Sequence, residues 1–331
     1  MTGGTAVSPA NFGNAKRAVI AAKIFVTLAC FWYLFRHIEV PELRRTLPGF
    51  DVRWAVAAVL LLVLQIPLIA LRWLQIVEVL KLRGDSLSYR WMTAVSAIGQ
   101  FFGQVLPIIA GDGVRVWLLT DLVGDWRDAA ISVAIDRCVG IALLFAFAFA
   151  ILLFPSGLGL FEAYRVEVVV VLGVMLAIGA GALALGPGVS RAVVERRGGK
   201  WIADFFAGAH RAAFGPHSAA ILGAGCLIHA LTIAAVWSLG RAQGLALSPA
   251  DAAVLFAVMV GIALFPFAVG GWGLRELAMV SLFGTYGLTP ERALVFSMYF
   301  GLACMIASLP GAVAWFGFMI PRPARSSSSG S

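Results

Sequence analysis

Charge is scarce in this sequence. Asp, Glu, Lys and Arg make up 13% of 331 residues, against 61% hydrophobic, and the mean hydropathy is +0.92. No stretch is long and polar enough to form a separate soluble domain. The composition therefore places the chain among helical membrane proteins that cross the bilayer many times. Cysteine and histidine are equally thin, at four each. Cys30, Cys138, Cys226 and Cys304 sit far apart within apolar runs. Without a C-x-x-C pair or a Cys/His cluster, a disulfide framework and a metal site both lack support, and the cysteines read as small packing residues. G-x-S-x-G, H-E-x-x-H and the P-loop are absent too. Hydrolase, zinc-enzyme and ATPase chemistry thus have no residues to perform them, and no cofactor motif is present.

Acid is scarcer than base: 17 Asp and Glu stand against 25 Lys and Arg, for a net charge of +8. Such a balance suits nucleic acid when the cations gather into one patch. Here they flank apolar runs in short clusters, as topology signals and anionic-lipid contacts do. That distribution argues against nucleic acid as a partner.

Long apolar runs are what the chain has in abundance. Residues 17–36, 52–71, 129–154, 166–186, 218–240 and 293–318 are each long enough to cross about 30 Å of hydrocarbon. The first follows Lys16 and Arg17 and lacks a small-residue cleavage site, so it reads as a retained helix rather than a signal peptide. Two further segments, 91–123 and 250–286, are apolar but interrupted, and each interruption carries the same motif. Pro107-Ile108-Ile109-Ala110-Gly111-Asp112-Gly113-Val114-Arg115 reappears as Pro266-Phe267-Ala268-Val269-Gly270-Gly271-Trp272-Gly273-Leu274-Arg275. Breaking a helix in hydrocarbon strands backbone polar groups, which is tolerated only where protein or a water-filled cavity surrounds the break. Two breaks at corresponding places in two halves point to a transporter-type central site.

Charge asymmetry sets the topology. If each interrupted segment enters and leaves on one side, the basic clusters at Lys16–Arg17, 72–90, 191–211 and Arg322–Arg325 share a face. The connections around Glu162 and Gln243, nearly free of basic residues, share the other. The positive-inside rule then places both termini in the cytoplasm of a bacterial inner membrane, with the mixed loop 37–53 as the one exception. The expected fold is an all-α polytopic membrane protein. It has about six full transmembrane helices plus two re-entrant or broken helical hairpins in an inverted-topology repeat of eight hydrophobic segments. Full spanning of both interrupted segments keeps every loop on the same side, so hydropathy leaves both forms open. Residues 1–325 read as a single membrane domain. Its halves, 17–186 and 218–320, are linked by a basic, partly amphipathic cytoplasmic segment, 187–217, and residues 326–331 form a disordered tail.

Several residues in these segments have the chemistry to handle an anion. Gly111, Asp112, Gly113 and Arg115 combine a flexible backbone, whose successive N–H groups form an anion nest, with an arginine fork that grips phosphate. Gly270, Gly271, Gly273, Arg275 and Glu276 repeat the nest and the arginine, and Trp272 is added. The plainer alternative is a pair of membrane-interface turns with Arg and Trp at headgroup depth. Asp136 and Arg137 lie about 11 Å inside the helix expected from Ala129, where ionisable groups mark a functional interior or a structural ion pair. Asp136 has Arg115 as a candidate partner, and Arg137 has Asp112. Gln100 and Gln104, at i and i+4, share a helix face that meets a cavity or another helix. Arg72-Trp73 reads as an interfacial anchor, and His229 as a lone buried histidine bonded to a carbonyl.

Phe102 through Arg115, then 130–137 with its Asp-Arg pair, then 266–276 with Gly-Gly-Trp-Gly-Leu-Arg-Glu, resemble the lysylphosphatidylglycerol synthase transmembrane-region family. This is the flippase-like domain of the multiple peptide resistance factor and of many stand-alone bacterial and archaeal membrane proteins. The likeness covers roughly residues 16–321, and Arg72-Trp73 fits its pattern. The resemblance implies a lipid flippase or scramblase for an amphipathic lipid with an anionic or zwitterionic headgroup. In fused members an aminoacyltransferase follows the membrane part. Here the sequence runs out in Arg325 and a serine tail, so transport without lipid aminoacylation is expected. Stand-alone relatives accompany hopanoid, cardiolipin or polyprenyl-sugar pathways, which leaves the cargo open. The competing readings are an integral-membrane transferase acting on polyprenyl-phosphate or phospholipid, and a non-catalytic partner of a lipid-synthesis enzyme.

Overall fold

The computed structural model describes residues 32, 50–82, 87–105, 108–153, 165–193, 199–263, 273–285 and 289–316. Among these residues every regular element is an α-helix: α1 (Val52–Val79), α2 (Tyr89–Val105), α3 (Ile108–Val123), α4 (Trp126–Leu153), α5 (Arg165–Val193), α6 (Gly199–Phe214), α7 (Ser218–Ala242), α8 (Pro249–Ala263), α9 (Leu274–Thr285) and α10 (Pro290–Phe316). Among the described residues five helices are long and apolar enough to cross a membrane: α1, α4, α7, α10 and the Val166–Gly186 part of α5. They coincide with five of the six uninterrupted apolar runs, and the sixth, 17–36, lies outside the described residues. The protein is a multi-pass helical membrane protein.

Local chemistry sets the ends of these helices. Asp51 caps α1 by accepting the Arg53 N–H at 2.9 Å. At the other end the Leu82 N–H donates to Val77 and the Lys81 N–H to Glu78, with Lys81 left-handed at φ 56°. This is a Schellman closure. α7 ends the same way, with Gly244 at φ 66° in the left-handed position. The two helices lie antiparallel along their length: the Asp51 N–H donates to the Ala242 carbonyl at 2.8 Å, Thr232 donates to Gln65 at 3.1 Å, and His217 Nδ1 meets Gln75 at 2.7 Å.

The first interrupted segment is a helical hairpin. A Cβ on Gly111 would strike the backbone of Gly99 and Gly103, and one on Gly99 would strike the Arg115 side chain. These pairings make α2 and α3 antiparallel, and the glycines permit their close approach. Each arm is only about 25 Å long at 1.5 Å per residue. The second interrupted segment provides α8 and α9, but the break itself, 264–272, lies outside the described residues. The hairpin expected there lies outside them as well.

Within the segment expected to link the halves, α6 packs one face on its neighbours and leaves Lys200, Trp201, Asp204 and Arg211 exposed. α5 runs on to Val193, and α6 buries Gly199, Ala203, Gly208, Ala209 and Ala212 against α1, α4, α5 and α7. A Cβ on Gly208 would collide with Leu80 and Ile135. The small residues on one face of α6 are what let it dock.

The chain divides into two units. The larger comprises Gly49–Val258 and Tyr299–Ser331, and the smaller Met1–Pro48 and Met259–Met298. The core of the larger unit gathers Trp73, Val77, Trp91, Met92, Val95, Ile98, Leu119 and Val133 from α1 to α4. In the smaller unit Phe283 and Phe296 pack at 5.3 Å between ring centroids.

Candidate functional site

Two arginines from different helices converge on one aspartate inside the larger unit. Asp136, on α4 and 1% exposed, accepts Arg72 Nε on Oδ1 at 2.8 Å and Arg115 Nη2 on Oδ2 at 3.0 Å. Ionised groups are buried at tolerable cost only when paired and hydrogen-bonded. Arg115 also lies 4.1 Å from the centroid of the Trp73 ring, whose indole N–H donates to Ser132 at 3.1 Å. A cation over a desolvated tryptophan face gains further electrostatic stabilisation.

Glycines lie against both arginine side chains. A Cβ on Gly99 would sit 2.7 Å from Arg115 Cγ, so α2 must be bare there for Arg115 to lie along it. Gly140 on α4 and Gly225 on α7 flank Arg72: a Cβ would come within 3.4 Å and 3.5 Å of its Nη1. Arg115 Nε is buried with no hydrogen-bond partner among the described residues.

A second pair lies alongside. Arg137, next to Asp136 but on another face of α4, grips Asp112 through Nε and Nη2 at 2.7–2.9 Å. Its side chain is 49% exposed and that of Asp112 24%, and Arg115 Nη1 stands 3.7 Å from Asp112. Three arginines thus share two carboxylates. Arg137 sits about 16 Å from the start of α4 at 1.5 Å per residue, near the middle of a membrane-spanning helix. Charged groups inside such a helix pair with one another, as Arg137 and Asp112 do, and mark a candidate functional interior.

The glycines of the first motif do a different job from the one expected. Gly111, Asp112 and Gly113 are helical within α3, and positive φ among described glycines is confined to Gly124, Gly244 and Gly273. No anion nest forms at 111–113, because α3 has already begun at Ile108 and the amides enter the helical ladder. Gly111 closes the hairpin, whereas Gly113 faces open space. Gln100 and Gln104 are half-buried on α2, and neither side chain bonds a described residue.

The second motif forms its own polar cluster in the smaller unit. Gly273, at φ 88°, donates its N–H to Glu276 Oε2 at 2.6 Å at the start of α9. This is half of a capping box. Glu276, fully buried, accepts Arg275 at 2.6 Å and Ser297 of α10 at 3.0 Å, and Arg275 Nε also donates to Ser297. Gly270, Gly271 and Trp272 lie outside the described residues. Arg275 and Ser297 stand in the chain as Arg115 and Asp136 do, a separation of 22 against 21, but here the carboxylate comes from the helix that carries the arginine.

Sequence reasoning passed over Arg72 and Ser297. Arg72-Trp73 is no interfacial anchor: both residues are buried, because α1 continues to Val79 and carries them inside. His229 bonds the Gly140 carbonyl at 2.9 Å, as a buried histidine should.

A family model described as the lysylphosphatidylglycerol synthase TM region matches residues 20–311. The chain belongs to that family. No match is found among curated proteins. The matched stretch takes in both motif copies, the Arg72–Asp136–Arg115 centre and the Arg275–Glu276–Ser297 cluster. In this lysylphosphatidylglycerol synthase TM region the charged residues are therefore features of the membrane part itself. Membrane lipids are the molecules such a region is built to handle.

Proposed function

We propose that the protein is a lipid flippase or scramblase of the bacterial inner membrane that carries a phospholipid or related amphipathic lipid between leaflets. The observation that carries this reading is the partly exposed Arg137–Asp112 pair, set well inside a helix long and apolar enough to cross a membrane, beside Arg72, Asp136 and Arg115. A guanidinium fork matches a phosphate as well as a carboxylate. A headgroup entering beside α3 and α4 exchanges for Asp112 on Arg137 while its tails stay in hydrocarbon. The α2–α3 hairpin is re-entrant in this reading. Its counterpart, with Arg275 and Glu276, enters from the opposite face, and both termini are cytoplasmic. Transport is downhill or coupled to an ion. A transferase is disfavoured: Asp112, Asp136 and Glu276 all bond arginines, which leaves none of the three as a general base.

Reconstitution into liposomes with fluorescent phosphatidylglycerol and phosphatidylcholine tests this directly. Leaflet exchange is expected above that of protein-free vesicles. It should fall at least about tenfold in Arg137→Gln, the equivalent of one charge-assisted hydrogen bond. Exchange no faster than in empty vesicles across the lipid panel would overturn the proposal.

A further inference from the structure

A groove on the larger unit lies apart from the arginine centre. It encloses about 360 Å³ between α1, α2 and α10. α2 contributes Arg90, Thr93, Ala94 and Ala97, whose i, i+3, i+4, i+7 spacing puts them on one face. The neighbouring Val95 and Gly99 belong to the side that seats Trp73 and Arg115. The space exists because side chains there are small and both flanking helices carry an internal proline at the groove, Pro67 and Pro310. Its wall is apolar except at one end. There Arg90 is exposed, makes no ion pair with a described residue, and stands in the first turn of α2, where no acidic side chain occurs.

We infer that this groove holds one acyl chain of an anionic phospholipid, with Arg90 pairing its phosphate. Charge complementarity selects that occupant: Arg90, unpaired among the described residues, and the N-terminus of α2 sit together at the mouth of an otherwise apolar slot. Tyr89 beside it is exposed and donates its hydroxyl to the Pro67 carbonyl at 3.0 Å, which ties the mouth of the slot to α1. From Arg90 to Ala97 the slot runs about 10 Å along α2 at 1.5 Å per residue. This is a requirement for binding, not for leaflet exchange, so it stands apart from the transport proposal.

The test uses the full chain in nanodiscs with phosphatidylglycerol or phosphatidylcholine carrying a photoreactive group in one acyl chain, and maps the labelled peptides by mass spectrometry. Phosphatidylglycerol should label peptides containing Val63, Thr93 or Val313 about five-fold more than phosphatidylcholine, the ratio expected from one arginine near an anionic headgroup. Arg90→Glu should remove that preference and Arg90→Lys keep it. Ala94→Phe with Ala314→Phe should fill the slot and abolish labelling by either lipid. Equal labelling by both lipids, unchanged in Arg90→Glu, would identify bulk boundary lipid and overturn the inference, as would a co-purifying protein segment shielding these residues. Labelling retained in a protein without exchange activity sinks the transport reading alone, and the converse sinks only this one.

Discussion

At the scale of single residues, Asp136 carries the most consequence. Each of its oxygens holds a different arginine, so Asp136→Asn leaves two buried cations sharing a neutral amide. Breaking a buried pair costs about 3–5 kcal/mol, and thermal unfolding in detergent should show a loss of that order. Replacing the whole set with Arg72→Met, Arg115→Met and Asp136→Leu should restore most of the stability, because a well-packed apolar substitute is often neutral. The triple variant should nevertheless lose lipid exchange. If it exchanges lipid like the wild type, the centre is structural only. Both pairings at this site, Asp136 with Arg115 and Arg137 with Asp112, were legible as candidates because charged residues in apolar runs have few partners within reach. Arg72 was not. Hydropathy falls after Leu71, and an Arg-Trp pair at the end of an apolar run looks like a headgroup anchor. Only the packing of α1 against α4 and α7 shows that the helix continues inward past that point.

Among the helices, the α2–α3 hairpin separates two glycines that a motif search treats alike. Gly111→Val would push a side chain into the Gly99 backbone and should destabilise by about 1–3 kcal/mol through overpacking. Gly113→Ala meets nothing within 4 Å and should be stabilising by roughly 0.5–1 kcal/mol, the usual gain of alanine over glycine in a helix. Melting temperatures of the two variants check the contrast. A destabilised Gly113→Ala would mean that this residue has a neighbour or a backbone role beyond the helix. The Gly-Asp-Gly string reads as a turn because composition favours one there. The helix wins because α3 has begun by Ile108, so the string falls inside it, where its amides join the helical ladder. The amphipathic face of α6 was visible in sequence as a surface segment. Its docking depends on Gly208 meeting Leu80 and Ile135, contacts far apart in the chain.

For the molecule as a whole, the open question of hairpin depth becomes measurable. Cysteines placed at Ser88 and Asp125, the two open ends of the hairpin, should react with a membrane-impermeant maleimide from the cytoplasmic face. A cysteine at Val105, beside the fold-back, should resist the reagent from either face if arms of about 25 Å stop short of about 30 Å of hydrocarbon. Ready labelling of Val105 from the outside would make the arms full spans. A carrier must also let its cargo go. Because Asp112 already occupies Arg137, any phosphate arriving there meets a built-in rival, tethered and always present, that takes the arginine back once the headgroup moves on. In the proposed carrier, such a rival would keep occupancy brief and return the protein to rest without an outside energy source. Removing the rival's charge with Asp112→Asn should therefore give a protein that retains more phospholipid through purification, read by mass spectrometry, yet exchanges lipid more slowly: a carrier turned into a trap.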